Sequence, residues 1–173
     1  VLILEKYILL AAEANRITGR LKLQLKHILQ KQDRPVPENA ELLICSNHGY
    51  VAPRGDNKLG LVAENDDIYQ GVKKGDLLTS LTGNIGRVCF VDIDNGLLNQ
   101  RVAKLDVNAS RISKKYLFYL FQTKSFVSVL SALSFGSAQQ NISPIKMAGI
   151  DMMLPTMAAQ EDAVSALDAA KAK

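Results

Sequence analysis

Between Lys73 and Leu105 the sequence alternates glycine-bearing turns with apolar runs too short for helices. Lys73-Lys74-Gly75-Asp76 turns the chain into an expected strand over Leu77–Leu81. Thr82-Gly83-Asn84 turns it again into a strand over Ile85–Val91. Asp94-Asn95-Gly96 has the residues of a tight hairpin turn and predicts a returning strand over Leu98–Leu105. A chain written this way builds its middle from neighbouring antiparallel strands, not from the strand–helix–strand units of a parallel sheet.

The flanks carry a different period. Apolar residues crowd Val1–Ala14 and Gly19 supplies a stop, so residues 1–19 are expected to form a helix. Arg20-Leu21-Lys22-Leu23-Gln24-Leu25-Lys26 then alternates strictly, the period of a half-buried strand. Pro35 and Pro37 force an irregular connection. Leu42–Ser46 reads as a short strand, and Gly49–Gly60 as a loop or broken strand carrying Arg54 and Lys58. Ser113 is a good N-cap for a helix predicted to run to about Leu133, with Leu117, Leu120 and Phe121 on its apolar stripe. Ser143-Pro144 predicts a short helix, Ile150–Leu154 a last strand, and Ala158–Lys173 an Ala-rich helix after Pro155. The expected fold is α+β: a mixed, largely antiparallel twisted sheet with flanking helices and a C-terminal helix.

Composition limits the function classes. Apolar residues make up 47% and charged residues 22%, enough for a real core and against a disordered tail. A net charge of +4 leans toward a polyanionic partner. Cys45 and Cys89 sit in apolar runs with no zinc or disulfide spacing, and are expected to be buried thiols in a reducing cytoplasm. The apolar run Tyr7–Ala12 is far short of the ~20 residues of a membrane span, and no basic segment precedes it, so neither membrane segment nor signal peptide is expected.

Enzyme chemistry finds little purchase. No P-loop sequence is present, and Gly83-Asn84-Ile85-Gly86 lies between two expected strands instead of opening a helix, unlike a dinucleotide fingerprint. His27 and His48 lack a nearby nucleophile and read as surface or capping histidines. Asp92 and Asp94 lack the spacing of a calcium loop and read as turn residues. Asp56-Asn57-Lys58 has the acid-x-lysine of metal nucleases without its upstream Pro-Asp, and no Pro-Pro pair of an adenine-methylase motif exists. No catalytic residue, cofactor or metal is therefore expected.

Three stretches carry a resemblance. They are Gly75-Asp76-Leu77-Leu78-Thr79-Ser80-Leu81-Thr82-Gly83-Asn84-Ile85-Gly86-Arg87-Val88, then Leu98-Asn99-Gln100-Arg101-Val102-Ala103, then Gly136-Ser137-Ala138-Gln139-Gln140-Asn141-Ile142-Ser143, followed by Ile150–Pro155 and Gln160. In this order and spacing, over about residues 20–170, the chain resembles the target-recognition domains of type I restriction–modification specificity subunits. The resemblance implies a non-catalytic module that reads double-stranded DNA and directs methyltransferase and restriction (translocase/endonuclease) subunits to a split site. After the N-terminal helix read from the residues (1–19), which is unlike the start of a plain domain of this kind, it implies a recognition domain (20–155) and the start of a spacer helix (156–173). It also implies a second recognition domain, supplied either by a two-fold homodimer or by the other half of a longer chain.

Within the stretches, Gly75, Gly83, Gly86 and Gly136 are expected to set turns, and Asn99 and Gln100 to tie loops to the sheet. Base reading falls to amide and guanidinium groups on loops, because their donor and acceptor spacing matches major-groove base edges. Arg54, Asn84, Arg87, Gln139 and Gln140 are the candidates. Lys31, Arg34, Lys73 and Lys74 suit phosphate contacts. Two other readings stay open at this point: a protein-interaction or regulatory module of the same fold, and a nuclease with an atypical metal site.

Overall fold

The computed structural model describes residues 21–25, 41–45, 51–53, 71–94, 96–98, 101–136 and 139–172. The expected helix 1–19, the loop 49–60 beyond Val51–Pro53, both histidines, and Asn99 and Gln100 lie outside the described residues. The chain divides into two compact units. One gathers the described residues of 31–106 and 134–144, the other those of 1–30, 107–133 and 145–173.

The first unit is built on strands. In chain order they are β2 (Glu41–Cys45), β3 (Val51–Pro53), β4 (Gly71–Val72), β5 (Leu77–Ser80), β6 (Val88–Phe90), β7 (Gly96–Leu98) and β8 (Val102–Lys104); β1 (Leu21–Gln24) belongs to the second unit. The order β6-β5-β8 makes a three-stranded antiparallel sheet, with Leu78 opposite Cys89 on one side and Lys104 on the other. A second sheet runs β3-β2-β7-β4, with β2 and β7 parallel. All four residues of β5 are buried, because the strand is flanked on both edges and covered on both faces. Val72, Leu78, Cys89, Val91 and Val102 form a core cluster with Ile93 and Leu98 against it. Each such aliphatic side chain contributes about 1.5–3 kcal/mol on leaving water.

Two expectations are corrected here. Asp94-Asn95-Gly96 does not close a hairpin: β6 and β8 lie on opposite edges of β5, and Gly96 opens β7, which pairs with β2 and β4. The Asp94 carboxylate instead accepts the backbone N–H of Lys74 at 3.3 Å, tying this turn to another. The expected strand Leu98–Leu105 is likewise two strands in two sheets, with the chain turning at Arg101.

The second unit is mainly helical. It holds β1, α1 (Lys114–Leu120), α2 (Lys124–Leu133), most of α3 (Pro144–Ala148), β9 (Asp151–Leu154) and α4 (Met157–Lys171). β1 pairs antiparallel with β9, Leu21 opposite Leu154 and Leu23 opposite Met152. Along β9, Met152 and Leu154 are buried while Asp151 and Met153 are exposed, the alternation of a half-buried strand. Ser113 caps α1, its hydroxyl accepting the N–H of Tyr116, as its position predicts.

The single helix expected over 113–133 is two. The Thr123 hydroxyl donates to the carbonyl of Leu120 at 2.8 Å, closing α1, and accepts the N–H of Phe126 at 3.2 Å, capping α2. No glycine or proline marks the break. The bend brings Phe121 and Phe126 into contact, ring centroids 4.5 Å apart.

The C-terminal helix α4 is locked to α1 by polar groups. Gln160, fully buried, accepts the N–H of Ser113 at 2.9 Å and donates to the carbonyls of Pro155 (2.9 Å) and Arg111 (3.2 Å). Lys115 and the Tyr119 hydroxyl both donate to the Asp168 carboxylate. The Lys171 ammonium lies 4.6 Å from the Tyr119 ring centroid, a cation–π contact. Burial first, and then the Asp168 carboxylate, push the Tyr119 phenol up to about 12. The hydrogen bonds from Lys115 and Tyr119 hold Asp168 below its ordinary value.

Candidate nucleic-acid interface

At the C-terminal end of β5 the chain must reverse within Leu81–Arg87. Gly83 (φ +72°) and Gly86 (φ +80°) take left-handed backbone conformations that L side chains avoid. The Ser80 hydroxyl pins the turn from inside: it donates to the Asn84 carbonyl and accepts the N–H of Arg87 at 3.1 Å. Gly86 donates its N–H to the Ser80 carbonyl at 3.0 Å. Asn84 is thereby exposed and Arg87 half-buried.

A second loop is pinched shut at its base. Phe135 and Asn141 exchange both backbone hydrogen bonds, each 2.8 Å. Gly136 leaves that bridge at φ +107°, and a Cβ there would stand 2.3 Å from the Gln139 carbonyl oxygen, so only glycine fits. The Asn141 side-chain amide donates to the same carbonyl at 2.9 Å. Gln139 and Gln140 are exposed on the loop.

The two loops are joined to each other. Thr82 and Asn141 form an antiparallel bridge, the N–H of Gly83 bonds the Gln140 carbonyl at 2.8 Å, and the N–H of Ile142 bonds Leu81 at 3.0 Å. A Cβ on Gly83 would lie 3.7 Å from the Gln139 side-chain nitrogen. Asn84, Arg87, Gln139 and Gln140, candidates from two distant parts of the sequence, therefore share one loop cluster. Arg101, exposed at the turn before β8, belongs to the same end of β5, since its carbonyl accepts the N–H of Leu81 at 2.9 Å. Sequence reasoning passed over Arg101, although it stands within the second of the resembling stretches and carries a guanidinium.

Lys73 and Lys74 lie elsewhere. They are exposed in the turn at the N-terminal end of β5, with Gly75 at φ +84° and Asp76 accepting the N–H of Lys73 at 3.0 Å. Asp76 and Leu81 are separated by the length of the strand, roughly 17 Å at ~3.3 Å per residue. The basic pair and the amide cluster are thus two separate features at opposite ends of β5. Lys104 is not a third: its ammonium pairs with Asp106 at 3.2 Å and its side chain is 2% exposed. Lys31, Arg34 and Arg54 lie outside the described residues. Among the described residues there is no group of three or more His, Cys, Asp or Glu that could hold a metal ion. Nor, among them, is any helix long and apolar enough to cross a membrane.

Solved structures share this fold. The S subunit of a type I restriction–modification system from M. genitalium matches with a TM-score of 0.60 at 15% identity, over 90% of this chain and 40% of that one. The HsdS subunit from Thermoanaerobacter tengcongensis matches at 0.55 and 15%, over 95% and 43%. A structure reporting complex assembly and conformational transition of the type I restriction–modification system matches at 0.60 and 13%, over 97% and 47%. The fold is that of restriction–modification specificity subunits, of which the chain spans less than half the length. The family model described as type I restriction modification DNA specificity domain matches residues 22–172. The chain belongs to that family of DNA specificity domains. No curated protein sequence matches it.

Proposed function

We propose that the loops 82–87 and 136–141 place Asn84, Arg87, Gln139 and Gln140 against base edges in double-stranded DNA. Lys73 and Lys74, with Lys31 and Arg34, would neutralise phosphates, and Arg54 would be a further base-reading residue. The observation that carries the reading is the bond between Gly83 and Gln140, which makes two loops one surface of amides and a guanidinium. Amides pair bidentately with adenine and guanidinium groups with guanine, so such a surface suits sequence reading. The basic turn, at the other end of β5, suits sequence-independent anchoring.

The assembly we propose follows from length. A chain spanning 40–47% of the solved subunits fits one recognition domain of two. Residues 1–19 would be an N-terminal helix, 20–155 the recognition domain and 156–173 the start of a spacer helix. A second domain, from another copy or from the rest of a longer chain, would read the other half of a split site. Methyltransferase and restriction subunits, in the cytoplasm with the DNA, would be directed there. The test is selection from a random-sequence duplex library by the 173-residue chain. An enriched sequence whose binding weakens steeply with salt is the expected result. Retention of a protein partner without any enriched sequence would favour an interaction module of the same fold.

A further inference from the structure

Phe135 is 54% exposed, whereas every other described Phe or Tyr is buried or half-buried. Its position is set by the backbone. Phe135 is bridged to Asn141, and Asn141 to Thr82. Directly opposed residues in antiparallel pairs project to the same face, with Cβ atoms about 4.5–5.5 Å apart. Phe135, Asn141 and Thr82 therefore form a row of ring, amide and hydroxyl-methyl across one small face. That face adjoins the loop carrying Gln139 and Gln140, because Gly136 packs directly on the Gln139 carbonyl. Asn141 and Thr82 are half-buried, which leaves the ring as the outermost member.

An exposed ring at the edge of an amide-bearing loop sets an apolar surface beside hydrogen-bonding groups. In the major groove, the apolar group a ring can cover is the 5-methyl of thymine. We infer that Phe135 is a specificity-determining residue that contacts a thymine methyl group beside the bases met by Gln139 and Gln140. The inference rests on the DNA-reading function proposed above. The role is distinct from the hydrogen-bonding ones: it selects thymine by apolar contact and is blind to uracil.

The experiment uses the full 173-residue chain and a random-sequence duplex library synthesised either with dTTP or with dUTP. Wild type on the dTTP library should enrich a sequence with a fixed thymine at one position. That preference should vanish on the dUTP library and for Phe135→Ala on the dTTP library, the other positions remaining. Phe135→Leu, which keeps an apolar side chain, should retain it. Replacing the one thymine by deoxyuridine in the enriched duplex should weaken wild-type binding roughly fourfold, the weight of one buried methyl group. Phe135→Ala should show no such difference. An unchanged preference in the dUTP library overturns the inference, as it would for a ring wedged between bases. So does a folded Phe135→Ala chain that loses preference at every position, since the ring would then only support the loop. If Phe135→Ala fails to fold, Phe135→Gln takes its place, and a thymine preference that survives in that variant overturns the inference. If wild type enriches no sequence from either library, the proposed DNA reading falls together with this residue's role.

Discussion

Gly83 donates its backbone N–H to the carbonyl of Gln140 at 2.8 Å, joining loops separated by strands β6, β7 and β8 and by helices α1 and α2. A glycine on one loop and a glutamine on the other thus act as one piece of backbone. A change in either loop should alter the presentation of both.

Gly136→Ala should be more damaging than Gly75→Ala. Both glycines have positive φ, which costs an L residue roughly 1–2 kcal/mol. At Gly75 the new methyl meets nothing within 4 Å, but at Gly136 it meets the Gln139 carbonyl oxygen at 2.3 Å. The loop 136–141 must therefore shift as well. Urea denaturation should show the larger loss for Gly136→Ala, and DNA selection should show altered sequence preference for that variant alone. Equal losses with unchanged preference would mean the loop tolerates the clash by moving without consequence.

Lys73→Glu with Lys74→Glu should weaken binding to all DNA sequences and flatten the salt dependence by about one unit per lost phosphate contact. Asn84→Ala with Gln140→Ala should do the reverse, changing the preferred sequence with little change in slope. Binding isotherms at several salt concentrations distinguish the two, because the basic turn and the amide cluster occupy opposite ends of β5. A salt slope unmoved by the lysine changes would place that turn off the DNA.

Gln160→Leu should destabilise the helical unit by about 1–3 kcal/mol despite its apolar replacement. The substitution strands the N–H of Ser113 and removes the donor to Pro155 and Arg111 at a fully buried position. Thermal denaturation followed by circular dichroism measures it. A variant as stable as wild type would mean water enters to replace the amide.

The alkaline limb of stability should carry a mark of Tyr119. Its phenol ionises near 10.0 when unfolded and about 12 when folded. Its contribution is therefore full below pH 10 and lost between pH 10 and 12. Tyr116, raised by burial to the same value, behaves alike. Ultraviolet titration should find late-ionising phenols, one fewer in Tyr119→Phe. Asp168 shifts the other way, so its contribution is present above its unfolded value of 3.8 and fades as pH falls below it. Asp168→Asn should lose that acid-side dependence, read as the change in melting temperature between pH 5 and pH 2.5. Parallel profiles for wild type and variant would mean the Lys115 and Tyr119 contacts do not persist in solution.

Local chemistry was legible in the sequence wherever cause and effect lie within a few residues. Ser113 caps a helix, Pro144 starts one, and Gly75, Gly83, Gly86 and Gly136 all take the positive φ their turns require. The strand expected over Ile150–Leu154 is present as Asp151–Leu154, and the family resemblance places these pieces in order. Tertiary structure alone decided which strands meet. Asp94-Asn95-Gly96 is chemically suited to a hairpin, yet β5 takes both β6 and β8 as neighbours and leaves the turn to lead into another sheet. Thr123 is unremarkable in a helical run until its hydroxyl bonds both ways. Asn84 and Gln140 were each single polar residues on loops until long-range pairing through Gly83 and Asn141 joined them. The physical reason is range: caps and turns are settled by bonds a few residues long, whereas strand partners are chosen by competition among every exposed edge in the folded chain.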